Sequence, residues 1–381
     1  MKVEFNKEIL GQLLYRYSDK EHAINVKFPK IQKWKQGESS VTINQLSKLA
    51  NYFHIPFGYF FLDKLPLIKY PVPHYRSGTS SPNTDFKPSD ELLETIKIIE
   101  ARQNWARDLR KEFNEKLDFA GSIALDTDIK EAAAKVRKAL KIPIDWSKNE
   151  IFKKWGDRFG FLVSKAEEAG IFVAINGVVN NDNRRKLKVD EFRGFVLHDN
   201  YAPFIFINNN DFVSGKVFTI MHEIVHVFVG KSASFENKEL LPSNAALEKF
   251  CDKVAAEFLV PENLLLEEWD KSGSNYEKLT SVFKVSRMVI ARRLYDLEKI
   301  AKPDFDGAYK NFKSFSYEKK DLKTNGGNFY YTTAYRVGRS FFNLIYSSVK
   351  QDKILYRDAF RLTSLKPKTF DGYVNKILSK P

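Results

Sequence analysis

The 381-residue sequence predicts an α+β protein: short helices at the N-terminus, a small sheet followed by an apolar helix in the middle, and a mainly helical C-terminal region. Three observations carry this. Apolar positions recur at helical spacing over most of the chain. They change to β-branched and aromatic strand character only between residues 170 and 209, and a Pro-, Ser- and Thr-rich stretch at 66–90 interrupts the pattern.

Composition narrows the class. At 43% apolar and 14% aromatic residues, the chain is globular rather than disordered. One cysteine, Cys251, excludes a disulfide scaffold and fits a reducing compartment. The start, MKVEFNKEIL, lacks the apolar run of a signal peptide. The aromatic-rich run at 52–62 is too short to span a bilayer and contains His54 and Pro56. These features predict a soluble, cytoplasmic protein with no membrane partner. The net charge of +14 sits at the ends: residues 1–70 hold 11 Lys/Arg against 6 Asp/Glu, residues 301–381 hold 16 against 7, and the centre is balanced. Basic ends point to a polyanion contact at one or both of them, or to a lysine-coated surface.

The first elements are helical. Ile9, Leu10, Leu13 and Leu14 line one face of NKEILGQLLYRY. In FPKIQKWKQGE, Pro29 suits a first turn and Gly37 a helix end. Thr42 suits a cap, and Ile43, Leu46, Leu49, Ala50 and Phe53 form the face of the next helix. Short helices packed into residues 1–65, one of them basic, predict a helix-turn-helix domain. WKQGESSVTINQLSKLANYFHIPFGYFFL resembles the XRE-type pattern of a Trp, a Gly-Glu turn, a Thr cap and a Leu-Ala helix. The preceding segment departs from that pattern, being short and without the small-residue turn. In this reading Lys30, Gln32 and Lys33 face DNA, with Lys27 and Lys35 near phosphates. Gln32 is the candidate for a base edge, and Trp34 is a core anchor. The competing reading is a helical module for homodimer formation or partner docking.

Residues 66–90 read as a linker or an extended arm laid over the next domain, with His74 a surface histidine. Residues 91–300 form the central domain. DELLETIKIIEARQNWARDLRKEF restores helical spacing, followed by two further helices. GIFVAINGVV and DEFRGFVLHDNYAPFIFINN then supply strands, the latter at 191–197 and 203–208.

After the strands comes DFVSGKVFTIMHEIVHVFVG, a helix whose packing face is Phe218, Met221, Val225 and Phe228. His222 and His226 lie one turn apart and project the same way, as two ligands of one ion must. Glu223 sits about 100° round the helix, near the ion without facing it directly. H-E-x-x-H on a helix is the pattern of a zinc site with its general base, and the sequence therefore predicts Zn2+ as cofactor. A catalytic zinc takes three protein ligands and keeps one open position. NAALEKFCDKVAAEFLVP offers Glu248 and Asp252 on one face, with Glu257 opposite. Glu248 is the chosen ligand. Asp252 can orient a ligand imidazole through its other nitrogen, or it belongs to a solvated face. Cys251 is either a soft ligand or a small core residue. Zinc lowers the pKa of bound water to about 7, and strand 203–208 offers an edge for an extended substrate.

EFRGFVLHDNYAPFIFINNNDFVSGKVFTIMHEIVH and EKFCDKVAAEFLVP resemble the ImmA/IrrE family of zinc metallopeptidases, most strongly between residues 165 and 300. PVPHYRS is similar to that family's Pro-x-x-aromatic-Arg linker, and an XRE-type domain in front is a common arrangement in it. The resemblance implies a zincin-like fold for the central domain, with His222, His226 and Glu248 as ligands and Glu223 as base. Cys251-Asp252 stands where Ala-Asn is usual. The resemblance further implies cleavage of a repressor protein, which releases the genes it silences.

In the remainder, Val285-Ser286 starts a helix with Arg287, Arg292 and Arg293, either a second helix-turn-helix or packing beneath the peptidase helices. Residues 301–381 read as a basic helical domain with a Gly326-Gly327 turn. Two functions remain in view: a DNA-associated zinc endopeptidase, or a DNA-binding regulator or antitoxin-like module whose zinc site is structural or metal-sensing. An intact Glu223 favours the first, because a structural site has no need of a base.

Overall fold

The computed structural model describes residues 2–18, 21–53, 55–65, 74–75, 88–148, 152, 155–230, 245–272, 275–308, 310 and 329–375. The Gly326-Gly327 turn, most of the arm and the side chain of His74 lie outside the described residues. The chain divides into two compact units, Met1–Tyr70 and Pro71–Pro381.

The first unit contains α1 (Lys7–Arg16), α2 (Glu21–Lys27), α3 (Ile31–Gln36) and α4 (Ile43–Tyr52), with a two-residue ladder between β1 (Lys2–Val3) and β2 (Val41–Thr42). Thr42 caps α4 through a reciprocal box: Gln45 N donates to Thr42 Oγ1, and Thr42 N donates to Gln45 Oε1. Gly37 ends α3 at φ 83°, a left-handed conformation suited to glycine. The helix begins at Ile31, so Pro29 precedes it rather than forming its first turn. Ile9, Leu13, Ile24, Ile31, Trp34, Leu46 and Phe53 fill the core, and Trp34 is thus an interior residue.

The second unit is built on one sheet. β3 (His74–Tyr75), β7 (Gly194–Leu197), β8 (Phe204–Asn208) and β4 (Phe172–Asn176) lie in that spatial order. β4 and β8 are parallel, and the other pairs are antiparallel. A separate hairpin joins β5 (Val178–Val179) to β6 (Asp182–Lys186). Its corner residues Asn180 and Asn181 both have positive φ, as a primed turn requires. β8 is therefore an interior strand. The expectation that residues 203–208 offer a free edge is wrong, because β7 and β4 occupy both sides of that strand. The outer edge of β7 carries the arm, with His74 opposite Val196 and Tyr75 opposite Phe195.

Period-2 alternation gives each sheet face its own core. Val173, Ile175, Val196, Ile205 and Ile207 point into a core shared with α6 (Ile129–Leu140), α7 (Trp155–Glu168), α8 (Val213–Val229), α9 (Ala245–Leu259), α11 (Tyr276–Phe283) and α12 (Arg287–Asp296). Phe172, Ala174, Phe195, Leu197, Phe204 and Phe206 point the other way, towards α5 (Asp90–Glu112). They also meet α14 (Phe329–Val337), α15 (Arg339–Lys350), α16 (Tyr356–Thr363) and α17 (Pro367–Tyr373). The region expected to start its own domain at residue 301 thus shares a core with the sheet from α14 onward. Arg102 of α5 fastens this layer, its buried guanidinium donating to the carbonyls of Arg336, Val337 and Leu362. α10 (Glu262–Ser272) and α13 (residues 302–308) complete the helices. Among the described residues no helix is long and apolar enough to cross a membrane.

Candidate metal centre

The segment that leads into β7 is shaped to bring α8 close. Glu191 accepts from Ser89 N and Oγ at 2.6 and 2.7 Å, tying the start of α5 to this segment. Arg193 pairs at 3.3 Å with Asp211, whose side chain is buried just ahead of α8. A Cβ at Gly194 would lie 2.7 Å from Thr219 Cγ2 and 3.0 Å from Phe206 O, so only glycine lets α8 approach β7 this closely. Phe192 and Phe195 are fully buried on either side of the pair.

The far end of α8 is held as firmly. Gly230 closes it at φ 70°. Gly121 N donates to Val227 O and Ile123 N to Phe228 O, which satisfies carbonyls the helix itself leaves open. A side chain at Gly230 would sit 2.3 Å from Gly121 Cα, so the two glycines pack backbone to backbone. Nothing in the local pattern around Gly121 announces this contact, which joins segments 109 positions apart.

Between these anchors α8 presents His222, Glu223 and His226, all at most 2% exposed. Opposite them, α9 presents Glu248, Cys251 and Asp252, spaced i, i+3 and i+4 so that they share one side. The Nε2 atoms of His222 and His226 are 3.0 Å apart. Glu248 Oε2 is 3.2 Å from the first and its Oε1 3.4 Å from the second. Asp252 Oδ1 lies 2.9 Å from His222 Nδ1. The structure thus brings His222, His226 and Glu248 together, with their donor atoms all within 4.8 Å of one another. Cys251 is outside this trio, its sulfur 3.6 Å from His226 Nδ1, on the side of the ring away from Glu248. Glu257 lies on the opposite face of α9, paired with Arg293 of α12.

Electrostatics suit a cation. Burial pulls the His222 imidazolium down, but its hydrogen bonds to the carboxylates of Asp252 and Glu248, with the nearby charges of Asp252 and Glu223, outweigh it and raise the group to about 9. Burial, reinforced by the carboxylates of Glu248, Glu223 and Asp252, pushes the Cys251 thiol far up, so it stays protonated. Two imidazole nitrogens and a carboxylate oxygen converging on one point form the donor set of a catalytic zinc, and the residues fit such an ion.

The raised His222 has a testable consequence. Its folded-state pKa, about 9, exceeds the ordinary 6.5. The metal-free fold is therefore favoured fully below the lower value and loses that contribution as pH rises through the upper one. Metal-stripped protein is expected to melt at lower temperature at pH 9 than at pH 7, and Asp252→Asn to flatten the trend. A profile identical in the variant would refute the assignment.

The residues proposed to meet DNA are all in the first unit. Lys30, Lys33 and Lys35 lie in and just before α3 and are exposed, and Lys27 ends α2 with its Nζ 4.6 Å from the Tyr52 ring centre. Gln32 is half-buried and donates to Asn25 Oδ1 at 3.3 Å.

A small sheet sandwiched by helices, with two helices closing on a His-His-Glu trio, is an arrangement suited to a metal-dependent peptidase. Residues 166–295 match the family model of the IrrE N-terminal-like domain, a peptidase family, which supports the resemblance to the ImmA/IrrE family over this third of the chain. Residues 337–376 match a domain of unknown function. Comparison with curated proteins gave no match.

Proposed function

We propose that the chain is a zinc-dependent endopeptidase, with an N-terminal domain that binds DNA, and that it cleaves a repressor-type regulatory protein. One observation carries this reading: His222, His226 and Glu248 converge beside the buried carboxylate of Glu223. A zinc ion held there would supply hydroxide near neutral pH and polarise a peptide carbonyl. Asp252 fixes the His222 ring with Nε2 turned inward. Glu223 takes the proton of the attacking water and delivers it to the departing amine. A structural zinc closes with four protein ligands, whereas among the described residues this trio has three, which favours catalysis over the regulator or antitoxin-like alternative.

The direct test is incubation with a repressor encoded beside this chain's gene, with and without chelator, and mass analysis of the fragments. Cleavage at one site, lost with chelator and restored by zinc, is the expected outcome; an intact repressor under all conditions refutes the activity. For the N-terminal domain, replacing Lys30 and Lys33 with alanine is expected to weaken DNA binding and flatten its salt dependence. Equal affinity and slope in the variant would leave partner docking as the reading of this unit.

A further inference from the structure

The two imidazoles of the site are held differently. Asp252 Oδ1 lies 2.9 Å from His222 Nδ1, whereas His226 Nδ1 faces Cys251 Sγ at 3.6 Å. The two partners are consecutive residues of α9, three and four positions beyond Glu248, so one helix turn supplies a contact to both nitrogens of both rings. To present Nε2 to an ion, a ring must carry its proton on Nδ1, and a group receiving that proton fixes the ring's tautomer and orientation. Cys251 is fully buried, and its sulfur lies at the far nitrogen of His226 from Glu248, so it cannot join the donor trio itself.

We propose that Cys251 is a positioning residue, whose sulfur receives the Nδ1–H of His226 and so holds Nε2 towards the metal. This rests on the reading of the site as a metal centre. Sulfur is a weaker acceptor than a carboxylate, so the Asp252 contact makes His222 a stronger donor than the Cys251 contact makes His226. The thiol does so while filling an apolar seam with Val254, Ala255 and Phe258, where a charged partner would lack solvation.

The test uses the full chain. Zinc(II) affinity is measured by competition with a chromophoric chelator for the wild type, C251S, C251A and C251V, and the ring N–H protons of the zinc-loaded proteins are followed by NMR. A wild type that binds no zinc removes the metal-centre reading itself. With zinc bound, C251A and C251V are expected to lose about tenfold or more in affinity, and serine to stay closest to the wild type. The His226 Nδ1–H resonance shifts in the alanine and valine proteins while that of His222 holds. Valine keeps the packing, so weak zinc binding in a C251V protein that melts normally separates positioning from core filling. Unchanged affinity in C251A, or serine weaker than alanine, overturns the proposal, and that ordering can be read even if valine prevents folding.

Discussion

Replacing Glu223 with glutamine is expected to slow peptide cleavage by about 10²–10⁴-fold, the usual contribution of a positioned acid-base group. Glutamine has the same shape and still fits a position 1% exposed, but it cannot accept the water proton. The metal donors are untouched, so zinc content is expected to remain that of the wild type. Because the lost interaction forms as the proton moves, kcat falls while KM stays nearly constant. Stopped assays on a purified repressor, paired with elemental analysis, measure both quantities. A variant that cleaves at the wild-type rate would show that another group takes the proton. One that loses both zinc and activity would show that Glu223 supports the fold of the site instead.

The second large effect is on stability. Glu257 and Arg293 form an ion pair between α9 and α12, both at most 6% exposed. Arg293 also donates to Val260 O at 3.3 Å, and Glu262 N donates to Glu257 Oε1 at 3.4 Å. Glu257→Ala leaves a guanidinium in the core without its charge partner, which costs about 3–5 kcal/mol. That is a large share of the ~5–15 kcal/mol by which domains are stable. The expected result is a clear fall in denaturation midpoint, measured by circular dichroism in denaturant. Replacing both residues with leucine or methionine is expected to recover much of the loss, since no isolated charge remains. A single variant as stable as the wild type would mean that water reaches the pair.

How much of this was legible in the sequence depended on distance along the chain. His222 and His226 share a face by helix geometry alone, and so do Glu248 and Asp252. The placing of Glu257 on the opposite face follows from the same rotation, and the structure shows it engaged there with Arg293. Strand order is not local, however, and the freedom assigned to strand 203–208 failed because its neighbours come from residues 172–176 and 194–197. The docking of α14 to α17 on the sheet was hidden for the same reason. Their apolar faces read equally well as the inside of a separate helical domain. Cys251 posed a third kind of difficulty: its type suited core or ligand, and only its direction shows that it meets His226 from behind.

The two-sided burial of the sheet sets a lower limit on what can be cut away. A fragment trimmed to the matched stretch, residues 166–295, would retain His222, Glu223, His226 and Glu248. It would also uncover Phe172, Phe195, Phe204 and Phe206, now roofed by α5 and the C-terminal helices. A bare aromatic surface of that kind invites self-association in water, so a piece that keeps the sheet covered must extend well past the matched stretch.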